Sequence, residues 1–525
     1  MKKVFLLLAT TILNSSLFIL QSHAGGMMSN TNQNAAFIRN PARDGAIGID
    51  GVYSNPAGVA LMPEGWHMSF NWQLAWQRRL IYTENPVFRA DATNGGSDKK
   101  HYRGVATAPF IPSVQLAYNW KKFSFQASGA VSGGGGKCIF ESGLGSFDAA
   151  VGRVWAGLLS PVTQNLDNLI NKKYNLGVDV PTSVGYSANG YMEGRQYYFG
   201  GTIGAAYKIV DAKLVKVSGY VGVRFLYGMA GYKAEIKDIK VHTANQGAQS
   251  LAEHFNSISN SIYEAGVKSA LTGNMAALQE ITQTGESLSQ QSGQLAKYYN
   301  GVYLQSDQNG FGVCPIIGAD VKVGFVNLAF KYAFSTKMNM TNSSTVDEAG
   351  LFTAVRQFVD GTSVREDTPA LLTLGFEAEP IKGLRVDVGY HHFYDRQAKK
   401  TYFDAEGNRH DDKNQMLSKG TDEWLAGVEY DFGKDKRWTV SGGIQTTTYG
   451  NTDEYMSDLS FVTNSWSFGT GVKYKINDKF SVNVGYFQTN YRDYEQSSDY
   501  RDSNGSHNVF SRRNRVFAAG LDIDL

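Results

Sequence analysis

Apolar and polar residues alternate in the segment after residue 65, and no other feature constrains the fold as strongly. Every even position from Trp66 to Trp76 is apolar, and three of these are tryptophans, whereas the odd positions are mainly polar. Successive side chains of a β-strand point to opposite faces, so this segment is predicted to be a strand with one apolar face. A strand of a soluble sandwich could alternate similarly, but its apolar face would rarely carry so much tryptophan.

The same alternation recurs along the chain and predicts an all-β protein. Further predicted strands cover 110–118, 123–131, 215–225, 326–334, 384–390 and 480–486. Short polar turns are predicted near 119–122, 210–213, 381–383, 433–436 and 476–479, and long loops at 82–107, 137–195, 230–308, 342–367 and 399–420. Short turns on one side and long loops on the other are typical of outer-membrane barrels. We therefore predict a closed antiparallel transmembrane β-barrel of about 14 strands over residues 66–525.

The final segment is predicted to close this barrel. Phe517, Leu521, Ile523 and Leu525 share one face of the last strand, and Asp522 lies on the other. A closing strand is required because lipid cannot satisfy the unpaired backbone groups of an open edge. A terminal strand with an apolar last residue also resembles the signal that the bacterial barrel-assembly machinery reads, and this machinery is a predicted partner.

The first residues indicate export. Lys2 and Lys3 precede a mostly apolar stretch, and Ser22 and Ala24 are the small residues that signal peptidase prefers. We predict a signal peptide at 1–24, cleaved after Ala24, and a location in the outer membrane of a Gram-negative bacterium. The alternative is an uncleaved helical anchor. No later window approaches the roughly 18 apolar residues of a membrane helix.

The net charge argues against one class of partner, and the cysteine content suggests one disulfide. The formal net charge of +2 suggests no nucleic-acid partner. The chain has two cysteines, Cys138 and Cys314, and exported proteins tend to pair their cysteines. A Cys138–Cys314 disulfide is therefore predicted, with two free buried thiols as the alternative. The predicted oligomeric state is a monomer.

Two of the predicted loops carry helical periodicity. Leu251, Phe255, Ile258 and Ile262 recur at helical spacing in the loop 230–308, and Val151, Trp155 and Leu158 do so in the loop 137–195; both segments read as amphipathic helices. These helices either cap the barrel by packing on their neighbours or form an apolar groove in which a ligand first binds. The sequence leaves both alternatives open.

A family resemblance rests on motifs within this layout. Tyr53-Ser54-Asn55-Pro56-Ala57-Gly58 lies between the predicted signal peptide and the first strand, and a later strand pair follows Thr368-Pro369-Ala370. The chain thereby resembles the FadL-type transporters of long-chain fatty acids and aromatic hydrocarbons. The resemblance implies that residues 25–65 fold into the lumen as a plug. It also implies that hydrophobic ligand is captured outside, bound in the lumen, and released sideways through a kinked strand into the hydrocarbon interior of the membrane. Outer-membrane lipid and lipopolysaccharide are predicted partners.

The resemblance also implies roles for particular residues. Asn55, Pro56 and Ala57 would belong to the plug, and Phe37 and Arg39 are candidates for the ligand pocket because they lie in the plug segment. The kink is assigned to Gly133, Gly134, Gly135 and Gly136, because glycine permits bulges and weakens strand pairing. A flexible start of the following loop is the alternative for this glycine run.

Motifs of enzymes and cofactor sites do not support a catalytic function. The sequence has no Gly-x-Ser-x-Gly elbow and no His-Glu-x-x-His zinc motif. We therefore predict no catalytic residues, no metal and no cofactor. The predicted function is passive uptake of hydrophobic small molecules, with a diffusion porin or, more remotely, a barrel hydrolase as alternatives. The sequence does not distinguish a fatty acid, an aromatic compound, a haem-like molecule or another amphiphile as the ligand.

Overall fold

The computed structural model describes residues 29–346, 356–404 and 407–525, and these form a closed antiparallel barrel of fourteen long strands. The strands, in chain order, are β1 Gly65–Glu84, β2 Lys99–Trp120, β3 Phe123–Phe140, β4 Ser183–Asp211, β5 Val215–Thr243, β6 Val302–Val323, β7 Val326–Ala333, β8 Leu371–Ile381, β9 Leu384–Phe393, β10 Thr421–Phe432, β11 Trp438–Thr448, β12 Ser465–Lys475, β13 Phe480–Tyr491 and β14 His507–Asp524.

The barrel closes between its first and last strands. β1 pairs with β14 over its whole length, from His67 opposite Asp524 to Glu84 opposite His507. Beyond the last strand, the backbone groups of Leu525 and Trp66 still exchange hydrogen bonds of 2.8 and 2.9 Å. This ring of strands leaves no open edge, which confirms the predicted fold class.

The alternation in the sequence corresponds to the two faces of the barrel wall. Trp66, Phe70 and Trp76 point outward and are 44–50% exposed. The intervening Ser69 and Asn71 point into the lumen and are buried. The outer wall is therefore apolar and rich in aromatic side chains, while polar groups line the interior.

The two ends of the barrel differ in the length of their connections. At the short-turn end, six turns of two to five residues join consecutive strands, at 121–122, 212–214, 324–325, 382–383, 433–437 and 476–479. At the long-loop end, the connections are 85–98, 141–182, 244–301, 334–370, 394–420, 449–464 and 492–506. The tight turn at Lys382-Gly383 places Gly383 at a φ of 93°, a left-handed conformation that glycine adopts without strain.

Several strands are longer than the sequence predicts. β4 and β5 each contain 29 residues, whereas about ten are sufficient to cross a bilayer. The segments predicted as loops at 137–195 and 230–308 therefore begin and end inside strands β3 to β6. Above the apolar band the buried face of a strand is apolar and the other face polar, as Ala234 and Ile236 against Lys233 and Glu235 show on β5, so the pattern of the membrane band is reversed.

Helices occupy the plug and two long loops. They are α1 Ala35–Arg39, α2 Gly145–Val154, α3 Ser160–Asp167, α4 Leu251–Leu271 and α5 Met275–Leu295; π-helical turns join α2 to α3 and extend α3 to residue 173. The predicted loop helices are confirmed. No helix within the described ranges is long and apolar enough to cross a membrane.

The segment before β1 lies inside the barrel. From Gln33 to Ala60 nearly every residue is buried, although the segment contains only α1 and two short 3-10 helices. The predicted luminal plug is therefore present. The predicted signal peptide, 1–24, and the first residues of the predicted plug segment, 25–28, lie outside the described residues.

Candidate functional site

Glycines in the barrel wall allow the plug backbone to approach closely. A Cβ atom at Gly427 would lie 1.9 Å from the Oδ1 atom of Asn40, and one at Gly375 would lie 2.1 Å from the backbone carbon of Asp44. Gly485 likewise faces the backbone of α1, with 2.9 Å between its hypothetical Cβ and the nitrogen of Arg39. A larger side chain at any of these positions would displace the plug.

A buried cluster of charged residues joins the plug to the wall. The carboxylate of Glu429 on β10 accepts from Arg39 Nη1 at 2.5 Å and pairs with Arg43 Nη1 at 3.0 Å. Arg385 on β9 is a third cation at the same carboxylate, at 3.2 Å, and it also pairs with Asp431 at 2.8 Å. Arg43 is also paired with Asp50 within the plug at 2.8 Å. These ion pairs satisfy charges that would otherwise be costly to bury.

The Asn55-Pro56-Ala57 motif contacts three strands. Asn55 Nδ2 donates to Asp320 Oδ2 on β6 at 2.6 Å, and its Oδ1 accepts from the backbone of Gly58 at 3.1 Å. The carbonyl oxygens of Pro56 and Ala57 accept from the side chains of Gln126 on β3 and Ser218 on β5, each at 2.7 Å. The motif thus fixes the second half of the plug.

Tyr53 is a further anchor of the plug. The carbonyl oxygen of Tyr53 accepts from Lys331 Nζ at 2.7 Å, and Lys331 and Arg224 both lie over its ring, at 4.4 and 5.1 Å from the centroid. Burial raises the pKa of the Tyr53 phenol to about 12, and Arg224 partly opposes this shift. The phenol stays neutral at physiological pH, and its ring faces the side chains of Lys331 and Arg224.

A cavity of about 220 Å³ lies between the plug and the long loops. Phe37 lines it, as predicted for the pocket, together with Asn30 and Asn32 from the start of the plug. Arg39 does not line it, because Glu429, Ser441 and Asn483 bind its guanidinium below the cavity. Arg39 therefore lies outside this cavity, and its contacts hold the plug against the wall.

Two arginines that the sequence analysis did not identify line the cavity. Arg79 on β1 and Arg512 on β14 are directly opposite each other across the two strands, and both face inward. Like charges at such positions are destabilising. Neither forms an ion pair within the described part of the chain, and Arg512 Nε is buried without a hydrogen-bond partner. The side chains lie over Phe461 and Tyr491, with ring distances of 5.7 and 4.8 Å.

The acidic groups at this cavity are bound elsewhere. Glu423 accepts from Gln445 at 2.8 Å and contacts His391 at 2.8 Å. Asp458 accepts from the backbone nitrogen of Ser146 in the first turn of α2 at 2.8 Å. Burial raises the pKa of the Asp458 carboxyl to about 6, and its bond to Ser146 partly opposes this shift. The cavity therefore presents two cationic groups that are not neutralised by a protein carboxylate.

The β2–β3 pairing is interrupted beside this cavity. Pairs run from Trp120–Phe123 to Ser113–Ala130 and resume only at Val105–Ile139. In between, Pro109 and Pro112 lack the N–H group that a ladder needs. We call this interval, 106–112 opposite 131–138, the β2–β3 gap.

The glycine run occupies the other side of the gap. Gly133–Gly136 lies within β3, which continues to Phe140, so the run is not the start of a loop. Register shifts occur on either side of Gly133, and Gly134 and Gly136 have φ values of 99° and 73°. A Cβ at Gly134 would be 2.3 Å from the carbonyl oxygen of Gln196, so glycine is required there. Gly134, Gly135 and Gly136 also line the cavity.

The first described residues of the plug cover part of the gap. Ser29 forms an isolated antiparallel bridge with Gly133, and the backbone nitrogen of Asn30 donates to the carbonyl oxygen of Ser132 at 2.9 Å. Both Ser29 and Asn30 line the cavity. The N-terminal segment therefore lies between the cavity and the opening in the wall.

A second, apolar pocket lies among the long-loop helices. Its lining is almost entirely hydrophobic, and it includes Phe147 and Val151 of α2, Leu251 of α4 and Leu295 of α5. Trp155 also lines it, and its Nε1 donates to Ser183 Oγ at 2.6 Å. Both helical loops contribute to one apolar pocket of about 50 Å³, and its lining side chains also pack on one another in a buried core.

The predicted disulfide is absent, and both cysteines are free and buried. Cys314 on β6 is aligned through β5 and β4 with Ser128 on β3, ten residues from Cys138 along that strand. Ten strand residues span about 30 Å, whereas bonded cysteines need Cα atoms within about 7 Å. The prediction of a bridge is wrong because the two strands carry their cysteines at different heights.

No group of three or more His, Cys, Asp or Glu side chains among the described residues could hold a metal ion. The sequence matches no protein-family model and no curated protein.

Solved structures with a similar fold are found. A FadL homologue of Pseudomonas aeruginosa aligns with a TM-score of 0.59 and 12% identity, over 95% of this chain and all of that one. A mutant of the monoaromatic hydrocarbon channel TodX aligns with a TM-score of 0.53 and 11% identity, over 95% of this chain and 99% of that one. At this level of identity the likeness concerns the fold. The protein therefore has the FadL-type barrel fold, with an N-terminal plug in the lumen.

Proposed function

We propose that this protein is a FadL-type transporter of the bacterial outer membrane and mediates passive uptake of amphiphiles that carry an anionic headgroup. The observation that carries the proposal is the position of the cavity, which lies above a tightly anchored plug and directly beside the β2–β3 gap. A ligand in the cavity finds its path along the axis obstructed by plug residues. The wall beside it is interrupted, so release sideways is the shorter route.

The outer surface supports the membrane location. Outward aromatic side chains such as Trp66, Trp76, Phe110 and Trp424 are 44–69% exposed, which would be costly in water. In lipid the same residues form the aromatic girdles and apolar band of a transmembrane barrel. The long-loop end would then face the exterior and the short-turn end the periplasm.

The route begins at the apolar pocket between the helical loops. Each methylene group transferred from water to an apolar site gains about 0.8 kcal/mol, so the end of an acyl chain can enter this pocket without an energy source. The ligand then moves to the cavity and leaves through the β2–β3 gap into hydrocarbon, where its chain is equally well accommodated. The bound N-terminal segment, Ser29 and Asn30, has to shift for this last step.

Arg79 and Arg512 indicate which headgroup the transported ligand carries. Two unneutralised guanidinium groups at one cavity favour a carboxylate or similar anion, which could accept charge-assisted hydrogen bonds from both. A neutral hydrocarbon would leave the arginine pair uncompensated. This chemistry supports long-chain fatty acids over aromatic hydrocarbons as substrates.

The test compares an acid with its neutral analogue. Cells lacking other uptake routes would express the wild type or the double variant Arg79→Gln/Arg512→Gln, and uptake of labelled palmitate and hexadecanol would be measured. The variant is expected to lose at least about tenfold of its palmitate uptake, corresponding to two lost charge-assisted contacts, and to retain hexadecanol uptake. Equal uptake of palmitate by both proteins would contradict the headgroup assignment. Large steady currents through the wild type in planar bilayers would instead indicate a porin.

A further inference from the structure

The outer surface of the barrel carries a patch of arginines where β14, β1 and β2 meet. Arg78 on β1 is directly opposite Arg513 on β14, and its neighbour Trp76 is opposite Arg515. On the other side of β1, Arg103 of β2 is opposite Leu80. All four arginines are exposed on the outward face, and we call them the outer arginine patch.

These arginines lack partners in the part of the protein that the structure describes. Within the described ranges, none of the four side chains forms an ion pair or a hydrogen bond. On the β3 side, Glu141 shares a surface pocket with Arg103 without forming an ion pair with it, and Glu193 is paired with Lys137 at 2.9 Å. The Arg78–Arg513 pair is therefore a like-charge pair on opposite strand positions, an arrangement that costs stability unless an anion lies between the side chains.

The height of the patch matches one boundary of the apolar band. Counting from the short-turn end, Trp66 to Trp76 spans ten residues, or about 25 Å along the barrel axis at the usual strand tilt. This is the thickness of the hydrocarbon-facing band of an outer-membrane barrel. Arg78 follows Trp76, and on β14 Arg515 follows Phe517 towards the long loops. The guanidinium groups thus lie just beyond the hydrocarbon, at the level of the headgroups.

We propose that the outer arginine patch is a binding site for the phosphorylated headgroup of an outer-leaflet glycolipid of the lipid A type. Guanidinium groups bind phosphate oxygens in bidentate geometry, and a phosphate between Arg78 and Arg513 would neutralise their mutual repulsion. The acyl chains of the same lipid would lie along Trp76 and the apolar wall below. The proposal rests on the membrane location within the proposed function, but not on transport.

The test uses purified protein in detergent with lipid A as the probe. Native mass spectrometry would measure binding of diphosphorylated lipid A and of its dephosphorylated form to the wild type and to the variant Arg78→Gln/Arg513→Gln/Arg515→Gln. A matched control, Lys213→Gln/Lys434→Gln/Lys479→Gln, removes three exposed positive charges at the short-turn end. We expect the arginine variant to bind diphosphorylated lipid A at least about tenfold more weakly, and the control to bind like the wild type.

Three outcomes would overturn the site. They are equal binding of the dephosphorylated lipid by the wild type, an equal loss of binding in the lysine control, and unchanged binding in a correctly folded arginine variant. Folding is checked by the shift in gel mobility on heating that intact barrels show. Adding inorganic phosphate separates the two sources of the anion, because full competition at millimolar concentration would indicate a site for free phosphate rather than lipid. Palmitate uptake by the arginine variant is expected to be unchanged. Lipid A binding therefore tests the patch, and palmitate uptake tests the transport proposal separately.

Discussion

Arg39 of the plug and Glu429 of β10 form a buried ion pair of 2.5 Å, and both side chains are only 3% exposed. The same guanidinium also donates to Ser441 on β11 and Asn483 on β13. One plug residue is thereby bound to three strands of the wall. This relationship explains how a segment with little regular secondary structure can be held in a fixed position inside a wide barrel.

Replacing Glu429 by glutamine is expected to loosen the plug. Arg43 would keep its ion pair with Asp50, and Arg385 would keep its ion pair with Asp431. Arg39 would be left as a buried cation without a carboxylate. Breaking such a pair costs about 3–5 kcal/mol, so we expect a lower unfolding temperature and increased ion conductance in planar bilayers. Asp478→Asn, at an exposed turn, serves as the control. Wild-type conductance and stability in Glu429→Gln would show that the ion pair does not retain the plug.

Because the plug backbone lies so close to the wall, adding one methyl group is expected to lower thermal stability at some wall glycines and not at others. Gly375→Ala would place a Cβ 2.1 Å from the backbone of Asp44, whereas Gly201→Ala, on β4, would meet no atom within 4 Å. Overpacking of this kind costs about 1–3 kcal/mol. Thermal unfolding should therefore distinguish the two variants, with only Gly375→Ala destabilised. Equal unfolding temperatures would mean that the plug is not seated against β8.

The fold was predictable because its main sequence signal, the alternation of apolar and polar residues, lies within each single strand. Lipid on one side and a polar lumen on the other impose a period of two on each strand, as the run from Trp66 to Trp76 shows, and short polar turns separate the strands. The ends of β3 to β6 were not predictable from this signal. Beyond the membrane band the buried face is the apolar one, as Ala234 and Ile236 show beside Lys233 and Glu235, so the pattern that predicts a transmembrane strand ends there.

The candidate site was only partly predictable. Phe37 and three glycines of the run, which position and composition predicted, line the cavity. The sequence did not reveal the contact of Arg39 with Glu429, because the two residues are 390 positions apart. Arg79 and Arg512 become a pair only through the closure of β1 on β14. The prediction of a Cys138–Cys314 disulfide was wrong for the same reason, because the register of the strands decides which cysteines lie close together. Long-range register is not encoded in local alternation.

The loop 334–370 is expected to become more stable as the pH falls towards 4.5. Glu366, in the loop 334–370, has a side chain that is only 12% exposed, and this burial raises its carboxyl pKa to about 7, although Lys400 at 3.6 Å opposes the shift. The unfolded carboxyl titrates near 4.5, so the stabilising contribution is complete below pH 4.5 and is lost as the pH rises through 7. The difference amounts to a few kcal/mol. Hydrogen exchange of the loop at pH 5 and 7.5 should show this trend in the wild type, and Glu366→Gln should abolish it. An unchanged trend in the variant would assign the effect to other groups.

The bridge between Ser29 and Gly133 makes the proposed exit testable. Residues opposite each other in an antiparallel bridge have Cα atoms about 4.5–5.5 Å apart, within the range that a disulfide accepts. The double variant Ser29→Cys/Gly133→Cys, in a background with Cys138 and Cys314 replaced by alanine, would fix the N-terminal segment over the β2–β3 gap. Palmitate uptake should fall at least about tenfold under oxidising conditions and return on addition of reductant, because the ligand can leave sideways only when this segment moves.

Each single-cysteine variant controls for the substitutions themselves and should be insensitive to reductant. Binding of palmitate to the purified, oxidised double variant should persist, since the cavity and its two arginines are unchanged. Loss of uptake with binding retained would locate the effect at release rather than at capture. Full uptake by the oxidised protein, with the crosslink verified by mass spectrometry, would exclude the β2–β3 gap as the exit.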